Sequence, residues 1–245
     1  MERDDIQIGS LLSRREALAV LGMSGAAFLG GGTAFGRRRA TISRHSPSCV
    51  VRPEQTEGPY FVDEGLNRSD IRADGVGGAI SEGVPLALTL ALSGLNGTSC
   101  APVPGAHVDV WHCDAAGVYS DVHDPDFDTI GRKFLRGYQL TDAAGAARFQ
   151  TIYPGWYPGR TVHIHFKIRT DPASHRGLEF TSQLYFDDAL TDRVHALVPY
   201  VSKGQRRGRN RDDRIFGQDG DQLMLAPTAS ERGYAATFAI GLQLS

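Results

Sequence analysis

Tyr153-Pro-Gly-Trp156-Tyr157-Pro-Gly-Arg160-Thr-Val-His163-Ile-His165-Phe166 sets a Pro/Gly turn directly against an extended run. Beyond the turn, Val162, Ile164, Phe166 and Ile168 alternate with His163, His165, Lys167 and Arg169. That is the period-two pattern of a strand. Positions two apart on a strand share a face, so His163 and His165 project side by side with apolar residues behind them. Two adjacent imidazoles suit Zn, Cu, Fe or Ni. They are equally compatible with solvated histidines on a half-buried strand.

The preceding turn adds a second kind of donor. Its prolines and glycines fix where the Tyr157 phenol points, and Arg160 lies three residues before His163. A phenol titrating near pH 10 ligates well only to a strong Lewis acid that strips its proton. No Asp or Glu lies in the histidine strand, so the two-histidine, one-carboxylate ferrous pattern is not spelled out there. A Tyr/His set favours Fe(III), and an adjacent Arg favours an anionic substrate.

Working outward, Val84–Ser93 alternates as a strand, and Val103–His112 follows after an Asn-Gly-containing loop. Asp114-Ala-Ala-Gly117 marks a turn, with Val118-Tyr119-Ser120 extended beyond it. Residues 121–135 read as an Asp-rich loop. Arg136–Thr141 and Ala146–Ile152 read as strands of a hairpin joined at Asp142-Ala-Ala-Gly145. Strands follow over Phe180–Phe186 and Tyr234–Leu244, with one helix predicted from Asp187 to about Val198. About seven or eight short strands with one or two short helices and long loops predict an all-β, antiparallel β-sandwich. Gln205–Arg214 mixes charge signs and reads as a solvated loop.

The chain has 245 residues and a formal net charge of −2. Neither points to nucleic acid, and the length allows one sizeable domain. Near the amino end, Ser13-Arg14-Arg15 opens a short Gly/Ala-rich apolar run. It is too short and Gly-rich to span a bilayer comfortably and reads as a twin-arginine export signal. The domain reading is therefore 1–36 signal, 37–48 linker and 49–245 catalytic domain. The destination is extracellular or in the cell envelope, with no membrane span in the mature protein. An oxidising compartment permits a disulfide, and Cys49–Cys100 is the candidate pair, leaving Cys113 as a buried thiol. His45, His107, His112, His123, His175 and His195 are assigned no metal role.

Several segments then line up in order: Pro53–Phe61, Arg68–Arg72, Pro104–Ser120, Tyr157–His165 and Ser182–Phe186. Together they resemble the intradiol ring-cleavage dioxygenases, a prealbumin-like sandwich family, from about Cys49 to the carboxyl end. The resemblance implies a non-haem Fe(III) held by Tyr119, Tyr157, His163 and His165. It implies three catalytic residues: Tyr157, which substrate displaces, Arg160, which stabilises developing negative charge, and Gln183, which faces the site and supports the oxygen-bearing intermediate by hydrogen bonding. The implied partners are a small catechol and dioxygen, and the implied product is a cis,cis-muconate-type acid. Only Pro158-Gly159 separates Tyr157 from Arg160, shorter than in the best-known cytosolic members. The helical extension that dimerises catechol 1,2-dioxygenases has no counterpart, so a homo-oligomer is compatible but their assembly is not implied. Two rival readings stand beside this one. One is a non-catalytic transthyretin-like binding module. The other is a zinc hydrolase using His163 and His165 with a third ligand such as His107.

Overall fold

The computed structural model describes residues 49–244 apart from 76, 98 and 173–176. The signal and linker assigned to 1–48, with His45, lie outside the described residues, as does His175. In chain order the strands are β1 (Pro85–Asn96), β2 (Ser99–Pro102), β3 (His107–Trp111), β4 (His123–Asp124), β5 (Phe127–Asp128), β6 (Arg136–Leu140), β7 (Ala146–Ile152), β8 (His163–Arg169) and β9 (Glu179–Tyr185). The helix α1 (Asp188–His195), short β10 (Thr228–Ser230) and β11 (Gly233–Gln243) complete the set. No helix among the described residues is long and apolar enough to cross a membrane.

β1 is the spine of the first sheet. Leu86, Leu88, Leu90 and Leu92 are buried while their neighbours along the strand are less so, the alternation expected when one sheet face is packed. β11 runs parallel to it from Leu86↔Tyr234 to Leu95↔Gln243. β7 and then β2 pair with its other edge. The second sheet has the order β6-β3-β8-β9, all antiparallel. Val108 and Val110 of β3 and Ile164, Phe166 and Ile168 of β8 face the leucines of β1 in one core. The sandwich is as expected, except that β1 and β11 are parallel.

The predicted hairpin is not one. The Asp142–Gly145 turn forms, with the Gly145 N–H donating to the Asp142 carbonyl at 2.8 Å and Gly145 at φ +74°. It then passes the chain between sheets: β6 pairs with β3, whereas β7 pairs with β1. Phe149 and Ala147 must enter the core from the first sheet, and turn chemistry alone does not say which sheet the outgoing strand joins. The predicted helix also ends early. The Asp187 side chain caps it by accepting from the Leu190 N–H at 2.8 Å. It stops at His195, and Leu197 and Val198 are 51% and 78% exposed. Val198 precedes Pro199, which disfavours continuing the α conformation. Val118–Ser120 belongs to no strand, and the Asp-rich loop contains the small β4–β5 pair.

Cys49 and Cys100 form the expected disulfide, with Cα atoms 6.0 Å apart, and Cys113 is buried and free. The bridge ties the start of the domain to β2 across a sequence separation of 51. Closing a loop of that size stabilises by about 2–4 kcal/mol. Cys100→Ser should therefore lower the melting temperature by several degrees in a thermal scan, and reductant should shift the wild-type protein equally.

What positions the site is the far face of the second sheet. There Trp111 lies opposite His165, Asp109 opposite Lys167 and His107 opposite Arg169. This face is covered as well. Gln183 donates to the Thr56 carbonyl at 2.9 Å, and Lys167 Nζ sits 4.3 Å over the Phe61 ring. Residues 53–62 thus lie across the sheet, and the whole of β8 up to Ile168 is buried.

Candidate metal centre and substrate cleft

Two turns bring the tyrosines together. Asp114 Oδ1 accepts from the N–H groups of Ala116 and Val118, both at 2.9 Å, shaping the loop before Tyr119. Gly117 closes that loop at φ +81°, and a Cβ there would collide with the Trp156 carbonyl. Only glycine suits this position, on both counts. The Gly155 N–H donates to the Asp114 carbonyl at 3.0 Å, fastening the Tyr157 turn to the Tyr119 loop.

The predicted residues converge on His163 Nε2. Around it lie Tyr157 Oη at 3.1 Å, Tyr119 Oη at 3.4 Å, His165 Nε2 at 3.0 Å and Arg160 Nη1 at 3.4 Å. His163 Nδ1 donates to the Thr161 carbonyl at 2.7 Å, so Nε2 carries the lone pair. Burial first, then the Arg160 charge, lowers the His163 pKa to about 3, and burial holds His165 well below its usual value. Both imidazoles are therefore neutral donors. His165 stacks on Trp111 with centroids 5.0 Å apart, and its Nδ1 is buried without a partner. Burial pushes both phenols up. One lone pair cannot accept from every group that crowds it. Two imidazole nitrogens and two phenol oxygens aimed at one point fit a cation that would also lower the phenol pKa values.

Arg160 is locked in place. Its Nε donates to Asp213 Oδ2 at 2.8 Å and its Nη2 to Gln183 Oε1 at 2.6 Å. Asp213 is 4% exposed and also accepts from the N–H groups of Thr161, Ile215 and Phe216. Burial raises its carboxyl pKa, but the Thr161 N–H and Arg160 more than offset this and hold it below the usual range. Asn210 Oδ1 accepts from the Thr161 hydroxyl at 2.6 Å. The charge-dense run 205–214 is therefore not simply solvated: it carries the clamp on Arg160–Thr161, and Arg206 is buried against Asp188 and Asp192. Gln183 uses its oxygen on Arg160 and Tyr185 and its amide on Thr56.

Tyr60 went unremarked from sequence as a site residue. Its ring stacks on Tyr119 with centroids 4.4 Å apart, meets Tyr157 edge-on at 6.2 Å, and its hydroxyl donates to Asp124 at 2.8 Å. Burial and then Asp124 raise its pKa to about 12. A cleft of about 180 Å³ opens here, lined by Tyr119 and Tyr157 together with Tyr60, Phe127, Asp124 and Asp126. That is small beside the roughly 300–1,000 Å³ typical of drug-sized ligands, and suits a single ring. Three other described histidines are engaged elsewhere. His112 bonds Thr151 and the Cys113 carbonyl, and His195 the Pro154 carbonyl. His107 lies beside Asp109 and Arg169 and stacks on Tyr138, so it does not complete a zinc site. Among the described residues no three His, Cys, Asp or Glu side chains converge on a metal position, and a ligand set here must include the phenols.

Residues 56–207 match the family model described as Dioxygenase. The chain is 30% identical to an intradiol ring-cleavage dioxygenase from Tetranychus urticae, with a TM-score of 0.66 covering 80% of this chain and 94% of that one. It is 28% identical over 180 residues to catechol 1,2-dioxygenase 1 of Acinetobacter lwoffii, covering 62% of this chain and 53% of that one. Over 153 residues it is 36% identical to the protocatechuate 3,4-dioxygenase beta chain of Burkholderia cepacia, covering 58% and 61%. The chain thus spans between half and two thirds of the length of these two curated relatives. By fold and sequence, the chain belongs to the intradiol ring-cleavage dioxygenases.

Proposed function

We propose that this protein cleaves the ring of a catechol between its two hydroxylated carbons, adding both atoms of dioxygen to give a cis,cis-muconate-type dicarboxylic acid. The observation that carries this is the convergence of Tyr119, Tyr157 and His165 on His163 Nε2 within 3.4 Å. These four side chains would hold a non-haem ferric ion, which when bound supplies the Lewis acidity and electron affinity that open a chelated catechol to dioxygen.

The protein's own groups then have distinct tasks. Tyr119, 1% exposed and under Tyr60, is the fixed phenolate. Tyr157 lies on the cleft wall, where its phenolate oxygen can take a proton from a substrate hydroxyl. Arg160 aims Nη1 at the same point and balances the charge of the deprotonated diol. Gln183 holds the other arm of Arg160, making it a positioning residue. Tyr60 stacked on Tyr119 and Trp111 stacked on His165 set aromatic surface against two of the four donors.

Oxygen uptake with catechol, followed by product spectra, tests the reading. A muconate with one oxygen molecule consumed per ring supports it. A semialdehyde from cleavage outside the diol, or no uptake with any catechol, would overturn it. We read the chain as an exported protein, with a signal over 1–36 and a linker over 37–48. The Cys49–Cys100 bridge supports this, since such bonds persist in oxidising compartments.

A further inference from the structure

We propose that Asp124 and Asp126 select the substrate class: the cleft prefers catechols with a neutral or cationic ring substituent and rejects those with a carboxylate. This rests on the dioxygenase reading of the same site and concerns the opposite end of the ligand. With the diol at the tyrosines, the other residues lining the cleft, Tyr60, Phe127 and the two acids among them, are left to receive the rest of the ring.

Asp124 and Asp126 are the charged side chains lining the cleft among the described residues. Asp124 is one aromatic ring away from the centre. It accepts from Tyr60 at 2.8 Å, and Tyr60 stacks on Tyr119 at 4.4 Å. The Asp126 N–H donates to Asp124 Oδ1 at 3.0 Å, so the β4–β5 pair presents both acids at one edge. These contacts keep Asp124 ionised, its pKa held low first by the Asp126 N–H and then by Tyr60. The nearby basic side chains already have contacts of their own. Lys203 lies over the Trp156 ring and donates to the Ala116 carbonyl, His123 turns to Asp128 at 3.4 Å, and Arg160 is held by Asp213 and Gln183 at the inner end. A substituent carboxylate at that edge would therefore meet two like charges, while an ammonium would meet an attractive field. Phe127 and Tyr60, with centroids 6.4 Å apart, leave an apolar wall for an uncharged substituent.

Titration calorimetry under anaerobic conditions with catechol, protocatechuate and dopamine, on the protein as purified, tests this at low and high salt. Protocatechuate should bind roughly tenfold more weakly than dopamine at low salt, and the gap should narrow as salt screens it. Asp126→Asn should narrow the gap roughly threefold and Asp126→Lys should close or invert it; Asp124→Asn should act in the same direction. Protocatechuate binding as tightly as dopamine in the wild type, or a ratio unmoved by all three variants, overturns the proposal. Oxygen uptake with the same ligands separates the two claims. Charge-ordered binding without turnover would sink the dioxygenase reading alone. Turnover with charge-blind binding would sink the selectivity alone.

Discussion

Arg160→Ala is expected to lower turnover by about 10²–10³-fold, the loss typical when one preorganised donor is removed from a site of developing charge, while leaving the metal content intact. Arg160 is not among the four donors, yet its Nη1 reaches 3.4 Å from the nitrogen on which they converge. The variant should still fold, because Asp213 keeps the N–H donors of Thr161, Ile215 and Phe216. Arg160→Lys should not rescue it. One ammonium cannot reproduce a fork that reaches Asp213 through Nε and Gln183 through Nη2 at once. Steady-state oxygen uptake, with iron measured on the same samples, decides the point. Wild-type turnover in the alanine variant would remove Arg160 from the chemistry.

Asp213→Ala should produce the largest loss of stability. It leaves Arg160 without its buried counter-charge and three backbone N–H groups without their acceptor. Breaking a buried pair by removing one partner costs about 3–5 kcal/mol, which for a domain of this size lowers the melting temperature by about 10 °C. Asp213→Asn keeps the shape and removes the charge. Its turnover should fall at least about tenfold, and the double variant with Arg160→Ala should be no worse than Arg160→Ala alone, because both changes act through one guanidinium. Strict additivity in that cycle would mean that Asp213 does not act through Arg160. The sign with pH is fixed by the depressed carboxyl pKa. The stabilisation is fully present above the ordinary carboxylate range near about pH 4 and is lost as pH falls through the lower folded value.

Much of the centre is legible in sequence because its donors are local. Tyr157, Arg160, His163 and His165 sit in one turn and one strand, where spacing translates directly into position. Tyr119 lies elsewhere, and its role was legible only through the resemblance of the segment around it. Asp213 was hidden by its neighbours. A run dense in Arg and Asp looks solvated, and only the folded chain shows that 210–213 turns back over Thr161. Tyr60 was hidden for a similar reason, since nothing local to residues 53–62 says that they cross the outer face of the second sheet. The Asp142–Gly145 turn and the parallel β1–β11 pairing are long-range choices set by which sheet needs Phe149 and the β11 side chains in its core.

Iron content and the visible spectrum of the purified protein, compared with Tyr119→Phe, bear most directly on the four-donor centre. One ferric ion per chain with a broad red-to-burgundy tyrosinate charge-transfer band is expected, and the band should weaken or shift in the variant. An iron-replete protein without that colour, or a band indifferent to Tyr119, would contradict a shared site for Tyr119, Tyr157, His163 and His165.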